Sequence, residues 1–295
     1  MAVNSDHMSR PIMSDAGLEP AYPVTVIDEY GESRDAFVAG EQPLTLKVDD
    51  KEIVTLMTLG TCPELLILGY LRNQRLLDRI DEVKEVTIDW NKELADVKTH
   101  SGKGIGSERL QGRTVTTGCG QGTVFSCTID HIYHQKLPDF HIKQSRLYAL
   151  LDALRDYNAV YRQAGAVHGC ALCEDNNILM FVEDVGRHNA ADAISGMMWL
   201  NNVSGGNKIF YTTGRLTSEI VMKAAQMGIP LLLSRSGISY MGLELAQDLG
   251  ITLIARAKNH HFLIYNGADK FEFDAPPEQR PVSRKKSGDK ILMNA

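Results

Sequence analysis

The chain lacks an apolar run of the length a membrane span requires, and it does not begin with a basic stretch followed by an apolar one. Neither a spanning helix nor a secretion signal is expected, and the protein is placed in the cytosol. It also lacks a basic surplus: 31 Lys and Arg stand against 37 Asp and Glu, a formal net charge of -6. That balance leaves no global field for duplex nucleic acid, although a local basic pocket for a phosphorylated small molecule is compatible with it. Cysteine is scarce and odd in number. The five, Cys62, Cys119, Cys127, Cys170 and Cys173, make no disulfide framework in a chain of 295 residues, and read as reduced thiols kept for chemistry or metal. What is there is 43% hydrophobic and 23% charged residues, enough for one large domain or two of ordinary size. No internal repeat is visible.

Residues 1–20 are expected to form a loose leader. Tyr22–Ile27, Leu44–Val48 and Glu52–Met57 are short, β-branched and bounded by Gly, Pro or Asp, the pattern of strands in a small sheet, with Asp49-Asp50-Lys51 as a hairpin turn. A helix is expected from Thr61 to about Arg75, opened by a capping box in which Glu64 reaches back to Thr61. Cys62 falls in its first turn, where a helix dipole lowers a thiol pKa or where a small residue simply packs. Strands near 83–89 and 94–98 follow, then a polar segment from His100 to Ser107 read as a mobile loop. Arg113–Thr117 reads as a short strand leading to Thr116-Thr117-Gly118-Cys119-Gly120-Gln121-Gly122-Thr123. Three glycines in five residues leave that thiol uncrowded, so Cys119 is the candidate reactive atom; the alternative is a Gly-rich turn with an incidental cysteine. From Gly118 to His141, with His131, His134 and His141, a long loop is expected.

A second unit spans 141–274. Leu147, Leu150, Leu151, Leu154 and Val160 recur at helical spacing over about 143–164. Strands and helices then alternate: strands at 165–171, 178–182, 208–211, 230–233, 251–254 and 262–265, and helices at 188–200, 217–227 and 241–249. This predicts an α/β layered domain with a largely parallel sheet. Residues 275–295, rich in Pro, Lys and Arg, are expected to form a loose tail. Three polar clusters stand where strands give way to helices: Glu183–Asn189, Thr212–Ser218 and Ser234–Ser239. Singly each reads as helix capping with a surface arginine; together at successive strand ends they argue for a shared phosphate-bearing ligand. His168-Gly169-Cys170-Ala171-Leu172-Cys173 carries three groups that bind zinc elsewhere. On a strand, however, His168, Cys170 and Leu172 share one face and Cys173 takes the other, so packed thiols are expected and no metal.

Glu183-Asp184-Val185-Gly186-Arg187-His188-Asn189-Ala190, with Thr213-Gly214-Arg215, Lys223-Ala224-Ala225, Gly228-Ile229-Pro230 and Leu243-Glu244-Leu245-Ala246, resembles the FdhD family, the formate dehydrogenase accessory sulfurtransferases. The likeness runs from about Tyr22 to Gly267. It implies a cytidine-deaminase-like three-layer α/β/α domain at 141–274, preceded by a smaller β-rich α+β domain at 21–140 that carries the cysteine loop, in a homodimer. It further implies a sulfur carrier that takes persulfide sulfur from a cysteine desulfurase. The sulfur passes to the molybdenum or tungsten bis(molybdopterin guanine dinucleotide) cofactor before insertion into formate dehydrogenase. Cys119 then matches the sulfur-carrying cysteine, and Arg256-Ala257-Lys258-Asn259-His260-His261 matches the cofactor-binding segment, with Arg187, His188, Thr213 and Arg215 positioning phosphates. The family pattern Cys-Gly-x-Cys is here Cys119-Gly120-Gln121-Gly122, and two arginine positions of the binding segment are Lys258 and His261. A cofactor-binding chaperone without sulfur transfer, or a zinc hydrolase or deaminase built on His168, Cys170 and Cys173, are the alternatives.

Overall fold

The computed structural model of the chain describes residues 10–106, 109, 113–115, 122–124, 132 and 136–277. In chain order its strands and helices are β1 (Ile12–Met13), β2 (Ala21–Ile27), β3 (Ser33–Ala39), β4 (Gln42–Val48), β5 (Lys51–Thr58), α1 (Pro63–Asn73), β6 (Val83–Asp89), β7 (Leu94–Thr99), β8 (Arg113–Val115) and β9 (Gly122–Val124). They continue with β10 (Ile142–Lys143), α2 (Gln144–Ala153), α3 (Ala159–Ala164), β11 (His168–Glu174), β12 (Asn177–Asp184), α4 (Arg187–Leu200), β13 (Ile209–Thr212), α5 (Ser218–Gln226), β14 (Leu231–Ser234), α6 (Tyr240–Asp248), β15 (Thr252–Lys258), β16 (His261–Asn266) and β17 (Phe271–Glu272).

A five-stranded sheet in the order β1-β6-β7-β4-β5 occupies the N-terminal part. The β4–β5 hairpin turns at Asp49 and Asp50, with φ of 45° and 70°, the left-handed pair that a tight two-residue turn demands. Residues 12–18, expected in the loose leader, are tied down instead. Ile12 and Met13 pair with Glu85 and Val86, and Trp90 Nε1 donates to Ala16 O at 2.6 Å. The capping box at Thr61 does not form: Cys62 is the N-cap and α1 has no side-chain cap. Glu64 accepts from Ser14 Oγ at 2.7 Å and Ala16 N at 3.0 Å, so a tertiary partner displaces the local one. Arg75, at φ 53°, closes the helix, with Leu76 N donating to Leu71 O at 2.9 Å, a Schellman ending two residues before the expected stop.

The second sheet has six strands in the order β12-β11-β13-β14-β15-β16. Only β13, β14 and β15 run parallel to their neighbours within that trio; β11 and β12 are antiparallel to each other, β11 is antiparallel to β13, and β16 to β15. The largely parallel sheet is thus corrected to a parallel centre with antiparallel flanks, because tight turns after β11 and β15 return the chain directly. Alternation along each strand divides two apolar clusters. Cys170, Leu172, Phe210, Leu232 and Leu253 face α4, α5 and α6, whereas Ala171, Cys173, Tyr211, Leu233, Ile254 and Ala257 face α2. The first cluster continues through α1 into the five-stranded sheet, reaching Leu44, Leu46, Val86 and Val97.

The helix expected over 143–164 is two helices. After Ala153 a single 3-10 turn leads to Asn158, and α3 restarts there. Both carboxylate oxygens of Glu183 cap it, accepting from Val160 N and Tyr161 N at 2.9 Å each. The long loop expected from Gly118 holds strand β9, paired antiparallel with β8 through Val115 and Gly122.

Candidate site at the strand ends

Thr212, Ser234 and the outer part of β15 lie at the same edge of the six-stranded sheet, where β13, β14 and β15 end. Successive backbone bonds knit the three ends. Arg235 N donates to Thr212 O at 3.1 Å, Leu216 N to Gly237 O at 3.0 Å, and Arg256 N to Ser236 O at 2.8 Å. Side chains lock the turns: Gly214 N donates to Thr212 Oγ1 at 3.0 Å, and Ser234 Oγ to Gly214 O at 2.6 Å. β15 pairs with β14 only as far as Ile254, so the Arg256–Lys258 segment and the turn to His261 project past the edge. Ser239 caps α6 through Gly242 N at 3.2 Å, so the capping reading holds for that cluster.

The residues singled out from the sequence fall on two sides of this edge. On the α4 and α5 side, Arg187 is buried and lies along Gly214. A Cβ on Gly214 would sit 2.7 Å from Arg187 Cδ, so any larger residue there would have to displace the Arg187 side chain. His188, 2% exposed, places Nε2 at 3.0 Å from Glu219 Oε2. That contact brings the start of α4 to the start of α5 inside the protein. Thr213 is committed to β11, its N donating to Gly169 O at 2.9 Å and its Oγ1 accepting from Gly169 N at 3.0 Å. Arg215 is exposed. His168 is half-buried beside this group; burial first, then the charges of Arg187, His188 and Arg215, hold its pKa below 6.5. Asp184 anchors the motif from beneath, accepting from Thr58 Oγ1, Leu59 N, Gly186 N and Asn189 Nδ2 at 2.6 to 3.0 Å.

On the α2 side, Ala257, Lys258 and Asn259 line a cavity of about 260 Å³ with Leu151, Arg155, Asn158, Tyr211 and Arg235. Ala257 is fully buried, whereas Arg256, Lys258, Asn259, His260 and His261 are exposed. His260 stacks on Tyr148 at 4.4 Å and lies 3.6 Å from Asp152 Oδ2, fastening the turn to α2. Arg256 and Asn259 take left-handed φ of 51° and 54°, which bends the hairpin at both points. The sequence reading missed Arg155, Asn158 and Arg162, which carried no local signal, and left Arg235 unassigned inside a quoted cluster. A larger cavity of about 510 Å³ beside Arg79, His100 and Arg109 holds none of the singled-out groups.

Cys170 and Cys173 point to opposite faces, into separate apolar clusters. Burial pushes both thiols up to about 12. Among the described residues no three His, Cys, Asp or Glu side chains are placed to hold a metal ion, and no helix is long and apolar enough to cross a membrane. Cys119, Cys127, His131 and His134 lie outside the described residues; in the chain Cys119 stands between β8 and β9.

Comparison with known proteins gives one family. The model of the FdhD/NarQ family matches residues 39–272. The sulfur carrier protein FdhD of Shouchella clausii is 30% identical over 239 residues, covering 80% of this chain and 90% of that protein. The sulfur carrier protein FdhD of Bacillus licheniformis is 28% identical over 244 residues, with the same coverage. Among solved structures, a Desulfotalea psychrophila protein described as a candidate formate dehydrogenase accessory protein superposes with a TM-score of 0.67 at 27% identity, over 85% of this chain and 98% of that one.

Proposed function

The chain belongs to the FdhD/NarQ family, and on that premise we propose that it is a sulfur carrier serving formate dehydrogenase maturation. Cys119 is its working thiol. The thiolate attacks the terminal sulfur of a cysteine desulfurase persulfide, the desulfurase thiolate leaves, and Cys119 carries the sulfane sulfur. The acceptor is the molybdenum or tungsten bis(molybdopterin guanine dinucleotide) cofactor, received as cargo before it enters the dehydrogenase. Arg256–His261 hold it, with Arg187, His188, Thr213 and Arg215 acting across the strand ends, His188 through its hold on Glu219. In this reading the six-stranded domain is the cytidine-deaminase-like core, and the protein works in the cytoplasm as a homodimer.

One observation carries the cofactor part: the ends of β13, β14 and β15 gather Arg187, Arg215, Arg235, Arg256 and Lys258 at one edge of the sheet. Ends of parallel strands in open α/β sheets are where ligands bind, and clustered guanidinium groups suit phosphates. Release of the sulfane sulfur as sulfide takes two electrons, which a second thiol supplies by closing a disulfide on Cys119. Position 122 is glycine, so Cys127 or a thiol of another subunit takes that part. The same glycine favours a second reading, a cofactor-binding chaperone that transfers no sulfur.

Intact-protein mass after incubation with a cysteine desulfurase and cysteine separates the two. A reducible adduct of one sulfur, present in the wild type and absent from Cys119→Ala, is the expected result. No adduct on either protein, with an active desulfurase present, leaves the chaperone reading.

A further inference from the structure

The two-stranded sheet of β2 and β3 stands apart from the two larger sheets. α3 packs against it, yet none of residues 21–39 is buried, and Tyr22, Val26, Ile27, Phe37 and Val38 are 39–68% exposed. A lone hairpin is at best marginally stable in water. Two strands of seven residues with this much exposed apolar surface therefore call for a covering partner.

The register shows which edge is open. At the two ends of the ladder, Gly40 N donates to Pro20 O at 2.9 Å and Asp28 N to Glu32 O at 3.0 Å. Antiparallel pairs alternate between bonded and non-bonded. Counting inward from both ends makes Tyr22–Val38, Val24–Ala36 and Val26–Arg34 the bonded pairs, and leaves Pro23–Phe37, Thr25–Asp35 and Ile27–Ser33 with their backbone groups facing outward. On β2 the outward positions include Pro23, which has no N–H, so that edge is blunted. β3 contains no proline. Its outward N–H and C=O groups belong to Ser33, Asp35 and Phe37, all exposed, and none of these groups is bonded to another strand among the described residues. Arg34 is drawn back to Asp28 at 3.5 Å, within the hairpin, and does not guard the edge.

The chemistry of this edge selects a second copy of the chain. Ala36-Phe37-Val38-Ala39 is an apolar run that meets itself when two β3 strands lie antiparallel across a two-fold axis, and an isologous contact needs such self-complementarity. An axis at Asp35 would oppose two carboxylates. An axis at Phe37 opposes two aromatic rings instead, a favourable cross-strand pair, and keeps the Asp35 side chains apart.

We infer that β3 is a dimerisation edge: two chains join their β2–β3 hairpins through antiparallel β3 strands, about a two-fold axis at Phe37, into one four-stranded sheet. The inference rests on the homodimer of the proposed function and names the surface that forms it.

The test is the solution mass of the full chain, measured by sedimentation equilibrium at micromolar concentrations. The wild type should run at twice the chain mass. Asp35→Pro removes an outward N–H but leaves the bonded pairs of the hairpin intact, as Pro23 does on β2. It should raise the dimer dissociation constant by roughly tenfold or more, because the two-fold axis deletes the bond twice. Phe37→Glu sets two carboxylates opposite each other and should weaken the dimer as well, without touching the backbone. Asp35→Ala keeps the N–H and should stay dimeric. A monomeric wild type refutes the homodimer reading and the inference together. A dimer that neither Asp35→Pro nor Phe37→Glu weakens overturns the inference alone, and dissociation of Asp35→Ala overturns pairing through the backbone.

Discussion

Replacing Gly69 by alanine tests the seam on which the strand-end site depends. Helices α1 and α4 cross at Gly69 and Gly196. A Cβ on Gly69 would lie 2.8 Å from Gly196 N and closer still to the Asp192 carbonyl, both backbone atoms that cannot rotate away. The helices must therefore part, and overpacking of this kind costs about 1–3 kcal/mol. Parting them also strains the polar links across the seam. Asn73 Nδ2 donates to Asp192 Oδ1 at 2.7 Å and Ser195 Oγ to Asn73 Oδ1 at 2.9 Å, both buried. Each such bond contributes about 1 kcal/mol, more when a buried partner is left unsatisfied. The expected loss is roughly 3–5 kcal/mol, a large part of the ~5–15 kcal/mol that holds a domain together. Urea unfolding followed by circular dichroism measures it, with Gly106→Ala as the control because nothing lies within 4 Å of a Cβ there. A loss below about 1 kcal/mol for Gly69→Ala, comparable with surface changes, would refute the close crossing and with it the fixed placement of Arg187 and His188.

Three further outcomes follow from the same geometry. His168 is a base whose folded pKa lies below 6.5, so the folded state binds fewer protons than the unfolded one; its stabilisation is complete above 6.5 and is lost as pH falls through the folded value. Arg215→Gln should raise the NMR titration midpoint of His168, and an unchanged midpoint would show that Arg215 does not act on it. Cys170 and Cys173, with thiols near 12, should resist iodoacetamide in the native protein and react in urea, and native labelling of either would contradict their burial. Glu219→Leu removes the carboxylate 3.0 Å from a histidine that is 2% exposed and should cost about 1–3 kcal/mol, the penalty of a buried polar group that loses its partner; unaltered denaturant stability would mean that the contact does not hold the two helices.

How much of this was legible depends on the range of the forces involved. Val83–Asp89 and the Asp49–Asp50 hairpin were readable because β-branched runs and turn residues act within a few positions. The failures have distant causes. Glu64 carries a correct capping-box spacing, yet Ser14 and Ala16, about 50 residues back, take its carboxylate. The apolar spacing from Leu147 to Val160 continues straight through Asn158, and the helix restarts there because Glu183 on β12 caps it. No window of local sequence contains either partner.

The candidate site shows the same division. Polar clusters after strands marked the sheet edge correctly, since strand, turn and helix start are local features. Alternation separated Cys170 from Cys173 correctly, but which face of β13 meets α2 was not readable, because it turns on a single step of alternation. Tyr211 faces α2 and the cavity, while Thr212 faces Cys170, whose Sγ lies 3.3 Å from Thr212 Oγ1. One residue of register therefore separates the α2-side cavity from the Arg187 side. Arg155, Asn158 and Arg162 escaped notice for a related reason: they sit at a helix break that looks continuous in sequence, and the break is what turns them toward β13 and β15. A ligand seated there would be read jointly by that break and by the Arg256–His261 hairpin, two segments about 100 residues apart that the sheet alone brings together.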